Sequence, residues 1–222
     1  DRLARFYGTV VNLAIANDWM HKNPFAGIRF QEKEVIREVL TKEEIERMMC
    51  KEFALPRLEY VRDVFIFCVF TGMAYVDVNN LRQEHIVRDN NDDLWIRKAR
   101  QKTNNMCNIP LLKIPQLLME KYKNHPLCTK TGALLPVPSN QKMNSYLKEI
   151  ADFCGIQKNL TTHTARHTFA TVVALANGVS MENIAKMLGH SDIRMTQRYA
   201  KVMDSSIMRD MENVDKLFKS SE

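Results

Sequence analysis

Apolar positions follow a helical rhythm over most of the chain and an alternating rhythm over one short middle stretch. Leu3, Phe6, Tyr7, Val10, Val11, Leu13, Ala14 and Ile15 recur at three- and four-residue spacing, which predicts an amphipathic helix over residues 2–18. Asn23-Pro24 ends that element, because the residue before a proline is pushed out of helical geometry. Thr41-Lys42-Glu43-Glu44 has the form of a capping box, in which a hydroxyl and a carboxylate satisfy the free donors of a helix start. A helix is therefore expected from there to about Lys51, and another from Arg57 to Phe70. The unbroken run Val64-Phe65-Ile66-Phe67-Cys68-Val69-Phe70 marks the second as buried, and Gly72 turns the chain into a short helix.

The period then changes. His85–Arg88, Leu94–Arg97 and Met106–Ile109 read as three short strands. Asn90–Asp93 and Lys102–Asn105 supply the two turns, so a small antiparallel sheet is expected. Lys98, Arg100 and Lys102 cluster near one hairpin tip. Helical spacing resumes with Ile114, Leu117, Leu118 and Tyr122, and after a loop over Thr129–Pro138 it continues from Gln141 to Cys154, with Gly155 as the cap. Thr161 or Thr162 can cap a further helix, and Ser180 another that runs to Leu188 and breaks at Gly189. His190-Ser191 begins one more, with Ile193, Met195, Thr196 and Tyr199 on it. Met203, Ile207, Met208, Met211, Val214, Leu217 and Phe218 form a last amphipathic stripe, whose Met-rich face suits an adaptable interface or packing on its own domain. The fold class is mainly α with a small three-stranded antiparallel β-sheet.

Composition narrows the function classes. With 222 residues, 45% hydrophobic content, seven Gly and seven Pro, the chain is an ordered globular protein. A net charge of +6 favours a polyanionic partner. The five cysteines are scattered and form no C-x-x-C, which fits reduced thiols in a cytoplasmic setting. No apolar run reaches the length of a membrane span, so no membrane partner is expected. The first residue, Asp1, already lies in the helical pattern, so the chain reads as a piece of a longer protein. Residues 27–38 are charged and aperiodic and read as a linker.

Chemistry concentrates between Thr161 and Tyr199. His163 and Arg166 share a face near a helix N-terminus, where free N–H groups and partial positive charge suit a phosphate. Arg166 offers a planar fork that matches two phosphate oxygens. His163 and His190 can donate hydrogen bonds or move protons near neutral pH. The Tyr199 hydroxyl is a potential nucleophile. His163 and His167 have H-x-x-x-H spacing, but they lack the intervening glutamate and carry Arg166 instead, which argues against zinc; no cofactor or metal is expected. The stretch from Glu182 to Tyr199 also has the outline of a helix-turn-helix, so a non-catalytic DNA-binding regulator is an alternative.

The sequence H-x-x-R-H-T-F-A-T from His163, then Leu188-Gly189-His190-Ser191, then Tyr199 nine residues after His190, resembles the tyrosine recombinase (phage integrase) family. The resemblance extends from about Arg37 to the end. It implies the catalytic domain of a DNA breaking-rejoining enzyme over residues 31–222. Residues 1–30, with Asn23-Pro24-Phe25, then match the last helix and linker of a core-binding domain, the other reading being a plain N-terminal helix packed on the main domain. It further implies site-specific recombination of double-stranded DNA by a homotetramer on paired sites, in a bacterial, nucleoid-associated setting. Tyr199 would form a 3′-phosphotyrosine, Arg166, His163 and His190 would stabilise the transition state, and Lys102 would be the general acid. A mobile-element integrase is the preferred branch, with a type IB topoisomerase as a further alternative. The family usually carries T-G-x-R-x-x-E where this chain has Thr71-Gly72-Met73-Ala74-Tyr75-Val76-Asp77, so an arginine is missing at Ala74. Arg62, on the preceding helix, is the expected substitute; the competing expectation is a surface arginine paired with Glu59 or Asp63.

Overall fold

The computed structural model describes residues 2–28 and 38–200, which fall into two compact units, Asp1–Ile36 and Arg37–Glu222. The expected linker over 27–38 and the expected last helix over 203–218 lie largely or wholly outside the described residues. In the first unit, α1 (Arg2–Ala16) ends slightly earlier than expected, and the Asn23 side chain accepts the Phe25 N–H at 2.8 Å, fixing the turn at Pro24.

The second unit is built around α3 (Pro56–Thr71). Leu58, Val61, Val64, Phe65, Ile66, Phe67, Cys68 and Val69 are all buried, so the second half of the helix, from Val64 on, is apolar on every side. That composition is stable only where other elements surround it. Here α2 (Lys42–Cys50), α5 (Lys113–Tyr122), α7 (Asn140–Phe153) and α8 (Thr162–Thr168) all pack on it. Each fully buried Phe or Leu contributes about 2 kcal/mol by removal from water. The capping box at Thr41 forms as expected: Thr41 Oγ1 accepts from Glu44 N at 3.2 Å, and Glu44 accepts from Thr41 N at 2.7 Å.

A short α4 (Tyr75–Asn79) leads into the sheet of β1 (Ile86–Arg88), β2 (Leu94–Ala99) and β3 (Met106–Pro110), antiparallel in the order β1-β2-β3. Ile96 pairs with both Ile86 and Ile109, and Ile96 and Ile109 are buried against the helical core. The expected loop from Thr129 begins later than predicted, because residues 126–131 form α6 (Pro126–Thr131), with Pro126 in its first turn and Gly132 closing it. After α8 the chain widens into a π-helical turn over Phe169–Ala174 and a 3₁₀ turn over Leu175–Asn177. Then come α9 (Met181–Leu188) and α10 (Arg194–Ala200). Phe169, Ala170, Ala174, Ile184, Leu188 and Tyr199 form a second small core, so the last described turn of the chain is fastened by the Tyr199 ring.

Candidate active site

Thr161 is the N-cap of α8: its hydroxyl accepts from Thr164 N at 3.2 Å, while Thr164 Oγ1 accepts from Thr161 N at 3.2 Å. This cap sets the phase of the helix. It places His163 on the exposed first turn and turns Arg166 inward, where the residue is only 5% exposed. Arg166 Nη1 donates to the Gly72 carbonyl and Nη2 to the Leu188 carbonyl, each at 2.6 Å. The fork therefore ties the end of α3 to the end of α9, and its remaining donors are held in one plane.

Both carbonyls belong to turns that need tight backbone approaches. Gly72 has φ +65°, and a Cβ there would lie against the Phe169 ring and 2.7 Å from Leu188 Cδ2. Gly189, which follows the Leu188 carbonyl, has φ +61°, and its Cβ would stand 2.8 Å from Cys107 Sγ. Side chains other than glycine are strained in both places.

His190 and Tyr199 complete the cluster. Arg166 Nη2 lies 3.2 Å from His190 Nε2, and His190 Nδ1 lies 2.9 Å from Thr196 Oγ1. A guanidinium can only donate, so Nε2 is the acceptor and the neutral ring carries its proton on Nδ1. The Tyr199 ring stacks on His190 at 10° with centroids 6.3 Å apart, and tilts against His167 at 5.3 Å. Helix α8 and the stretch from the end of α9 into α10 thus bring Arg166, His190 and Tyr199 to one place.

Electrostatics make the place unusual. Burial lowers the basicity of Arg166, and the nearby Arg100 charge adds to the effect. Burial, followed by the charges of Arg166 and Arg100, pushes His190 from 6.5 down to about 4. His190 is therefore neutral in the fold at a pH where the unfolded chain already binds a proton. The unfolded state binds the extra proton, so stability falls as pH drops from about 6.5 to about 4 and is unaffected above that window. Urea midpoints measured through this range should fall less steeply in His190→Asn than in the native chain. Equal slopes would place the titration elsewhere.

Lys102 sits exposed in the turn between β2 and β3. The base of that hairpin is anchored to the cluster, since Asn105 Nδ2 donates to the Gly189 carbonyl at 3.2 Å. The hairpin also carries Arg100, whose side chain is 13% exposed and whose Nε lies 3.9 Å from Asp77 Oδ2. Arg100 is the neighbour that sequence reading passed over. Its signal was its place in the Lys98, Arg100, Lys102 trio near one hairpin tip.

Arg62 is a correction. It lies ten residues before Gly72 on α3, about 15 Å along the helix axis. Its Nη1 donates to the carbonyls of Met48, Met49 and Lys51 at 3.1, 3.0 and 2.9 Å, and its guanidinium contacts Asp63 and covers the Phe53 ring. The cation satisfies the open C-terminal carbonyls of α2 rather than a phosphate. Nor is it the surface arginine of the competing expectation: it does pair with Asp63, but it is buried. Arg62→Ala should cost roughly 3 kcal/mol, because buried carbonyls lose their donor. Chemical denaturation measures that loss, while the cleavage rate of the folded fraction should stay native; a selective rate loss would restore Arg62 to the site.

The sequence pattern of the phage integrase family matches residues 38–206. The chain belongs to this family. A tyrosine recombinase XerD from Staphylococcus saprophyticus is 40% identical over 95 residues, which cover 43% of this chain and 31% of that protein. The match thus spans about a third of that relative's length. Among solved structures, the Tn1549 transposon integrase in complex with circular intermediate DNA superposes with a TM-score of 0.67 at 18% identity, covering 94% of this chain and 75% of the other. A lambda integrase dimer bound to a core site gives 0.65 at 19%, covering 85% and 68%. These likenesses show the fold of a tyrosine recombinase catalytic domain. Among the described residues no helix is long and apolar enough to cross a membrane.

Proposed function

We propose that the chain is the catalytic part of a site-specific DNA recombinase that cuts and rejoins double-stranded DNA through a 3′-phosphotyrosine, most simply as a mobile-element integrase. The observation that carries the reading is the convergence of Arg166, His190 and Tyr199, with a guanidinium fixed by two carbonyls beside a phenol. The Tyr199 oxygen bonds to the scissile phosphorus, the bond to the 5′ oxygen breaks, and Lys102 gives the leaving oxygen its proton. The phenolic proton passes to a histidine of the site. Attack by a partner strand's 5′ hydroxyl reverses the step, conserving bond energy. Arg166, His163 and His190 oppose the charge that builds on the phosphate oxygens.

The DNA-bound integrase neighbours support DNA as the substrate, and the family favours this reading over a non-catalytic regulator or a topoisomerase. Residues 1–30 serve as the end of a core-binding domain, and recombination takes place in a homotetramer on paired sites. The test is covalent trapping on nicked suicide DNA, followed by digestion and mass mapping of the nucleotide-linked peptide. Linkage at Tyr199 supports the reading; linkage at another residue, or salt-sensitive binding with no adduct at any candidate junction, counts against it.

A further inference from the structure

The turn after α3 presents Ala74 where the resembling family has an arginine, yet the acid one turn on remains and is fully employed. Asp77 is buried; its Oδ1 accepts the Gln101 N–H at 2.9 Å, and its Oδ2 faces Arg100 Nε at 3.9 Å. Arg100 in turn is clamped on both sides of its backbone. Its N–H donates to Asn105 O, and its carbonyl accepts from Asn104 N, both at 2.8 Å. From that fixed base the side chain runs across Gly189, with Cδ 3.1 Å from the position a Cβ would take. Gly189 lies between the Leu188 carbonyl that holds Arg166 and His190 itself. Arg100 thus enters the Arg166–His190 cluster from the hairpin side.

Two features of Arg100 point to a missing ligand. Its Nε is buried and has no hydrogen-bond acceptor among the described residues. Buried guanidinium donors are normally satisfied, so one that is not calls for an explanation, and a bound ligand is one. The charges also fail to balance. Arg100 and Arg166 bring two positive charges and Asp77 one negative, and His190 is neutral, which leaves one uncompensated positive charge. A phosphodiester carries one negative charge and several acceptor oxygens, so it answers both deficits. Like charges held this close also weaken the basicity of Arg166 and His190, which an incoming anion would relieve.

We infer that Arg100 is the second phosphate-binding arginine of this site, delivered from the β2–β3 hairpin in place of the one absent at Ala74 and steadied by Asp77. The inference rests on the proposed recombinase reading. It makes Arg100 a catalytic residue in contact with the non-bridging oxygens of the scissile phosphate. It also couples the general acid to the phosphate clamp, because Lys102 and Arg100 ride on the same hairpin.

The test compares two nicked suicide substrates under single turnover with the full-length protein. One carries an ordinary scissile phosphodiester; the other carries a methylphosphonate, in which a neutral methyl replaces a charged non-bridging oxygen. Arg100→Met keeps an apolar stem across Gly189 and removes only the fork. On the phosphodiester the variant should form adduct about 100-fold more slowly than the native chain, the size typical for losing one preorganised donor. On the methylphosphonate the deficit should shrink to about tenfold or less, because the charge to be neutralised is gone. A purely structural role would depress both substrates equally, and that result, or a native rate on the phosphodiester, overturns the inference. Native adduct that disappears in Tyr199→Phe shows independently that the reaction occurs. If the native chain forms none at any junction, the recombinase reading fails and this inference falls with it.

Discussion

Tyr199→Phe should abolish the covalent protein–DNA adduct while leaving DNA affinity and the thermal midpoint close to native. The substitution removes one oxygen and nothing else. The ring is the part that packs: it is 9% exposed, joins Phe169, Ile184 and Leu188 in the second core, stacks on His190 and tilts against His167. Phenylalanine keeps all of those contacts, so α10 should remain in place. DNA affinity depends on many phosphate contacts spread over the surface and is insensitive to one hydroxyl. The chemistry is all-or-none by contrast, because no other phenol stands in the Arg166–His190 cluster among the described residues. Denaturing gels after incubation with nicked DNA measure the adduct, and titration at fixed salt measures affinity. Residual adduct in the variant would mean a different nucleophile. Loss of binding in parallel with loss of adduct would mean that the substitution had disturbed the fold.

Much of this site could be read before the fold was known, because its signals are local. The Thr161 cap is written in a few residues, and it alone fixes which face of α8 carries Arg166. The hairpin that bears Lys102 follows from alternation and turn residues, and β2 and β3 pair antiparallel as expected. Long-range geometry was less legible. The second half of α3, from Val64 on, is apolar all round, so periodicity does not say which neighbour any one face meets. Arg62 was assigned by chain proximity to Gly72, although ten helical residues already separate the two by about 15 Å. Its partners, three carbonyls at the end of α2, leave no trace in the sequence. Arg100 was visible only as one basic residue among three. What distinguishes it is the close approach of the hairpin to Gly189, which depends on how β3 packs beside α9. The six-residue α6 was missed because its stop and start signals bracket too short a period to register. The π-helical widening after Thr168 has no counterpart in the hydrophobic pattern at all.

Arg166→Ala should be the costliest change to the phosphate site, through two separable effects. The first acts on stability. Arg166 supplies the donors for the Gly72 and Leu188 carbonyls, and both become unsatisfied in a buried place. Each unpaired group costs about 1–3 kcal/mol. Part of that loss is returned, because removing one guanidinium relieves the repulsion with Arg100 and lets His190 recover basicity. A net destabilisation of about 2 kcal/mol is expected. The second effect acts on the reaction. Loss of a preorganised donor to a developing oxyanion slows catalysis by about 10²–10³-fold, or roughly 2.7–4 kcal/mol. Arg166→Lys separates the two: it keeps the charge, but an ammonium cannot span both carbonyls and present a fork as well. Its adduct rate should recover by less than about tenfold over alanine, and its denaturation midpoint should stay below native. Single-turnover rates measured on folded protein, beside urea midpoints for both variants, give the two numbers independently. An alanine variant that cleaves within tenfold of native would show that Arg166 is only a brace between the turns at Gly72 and Gly189.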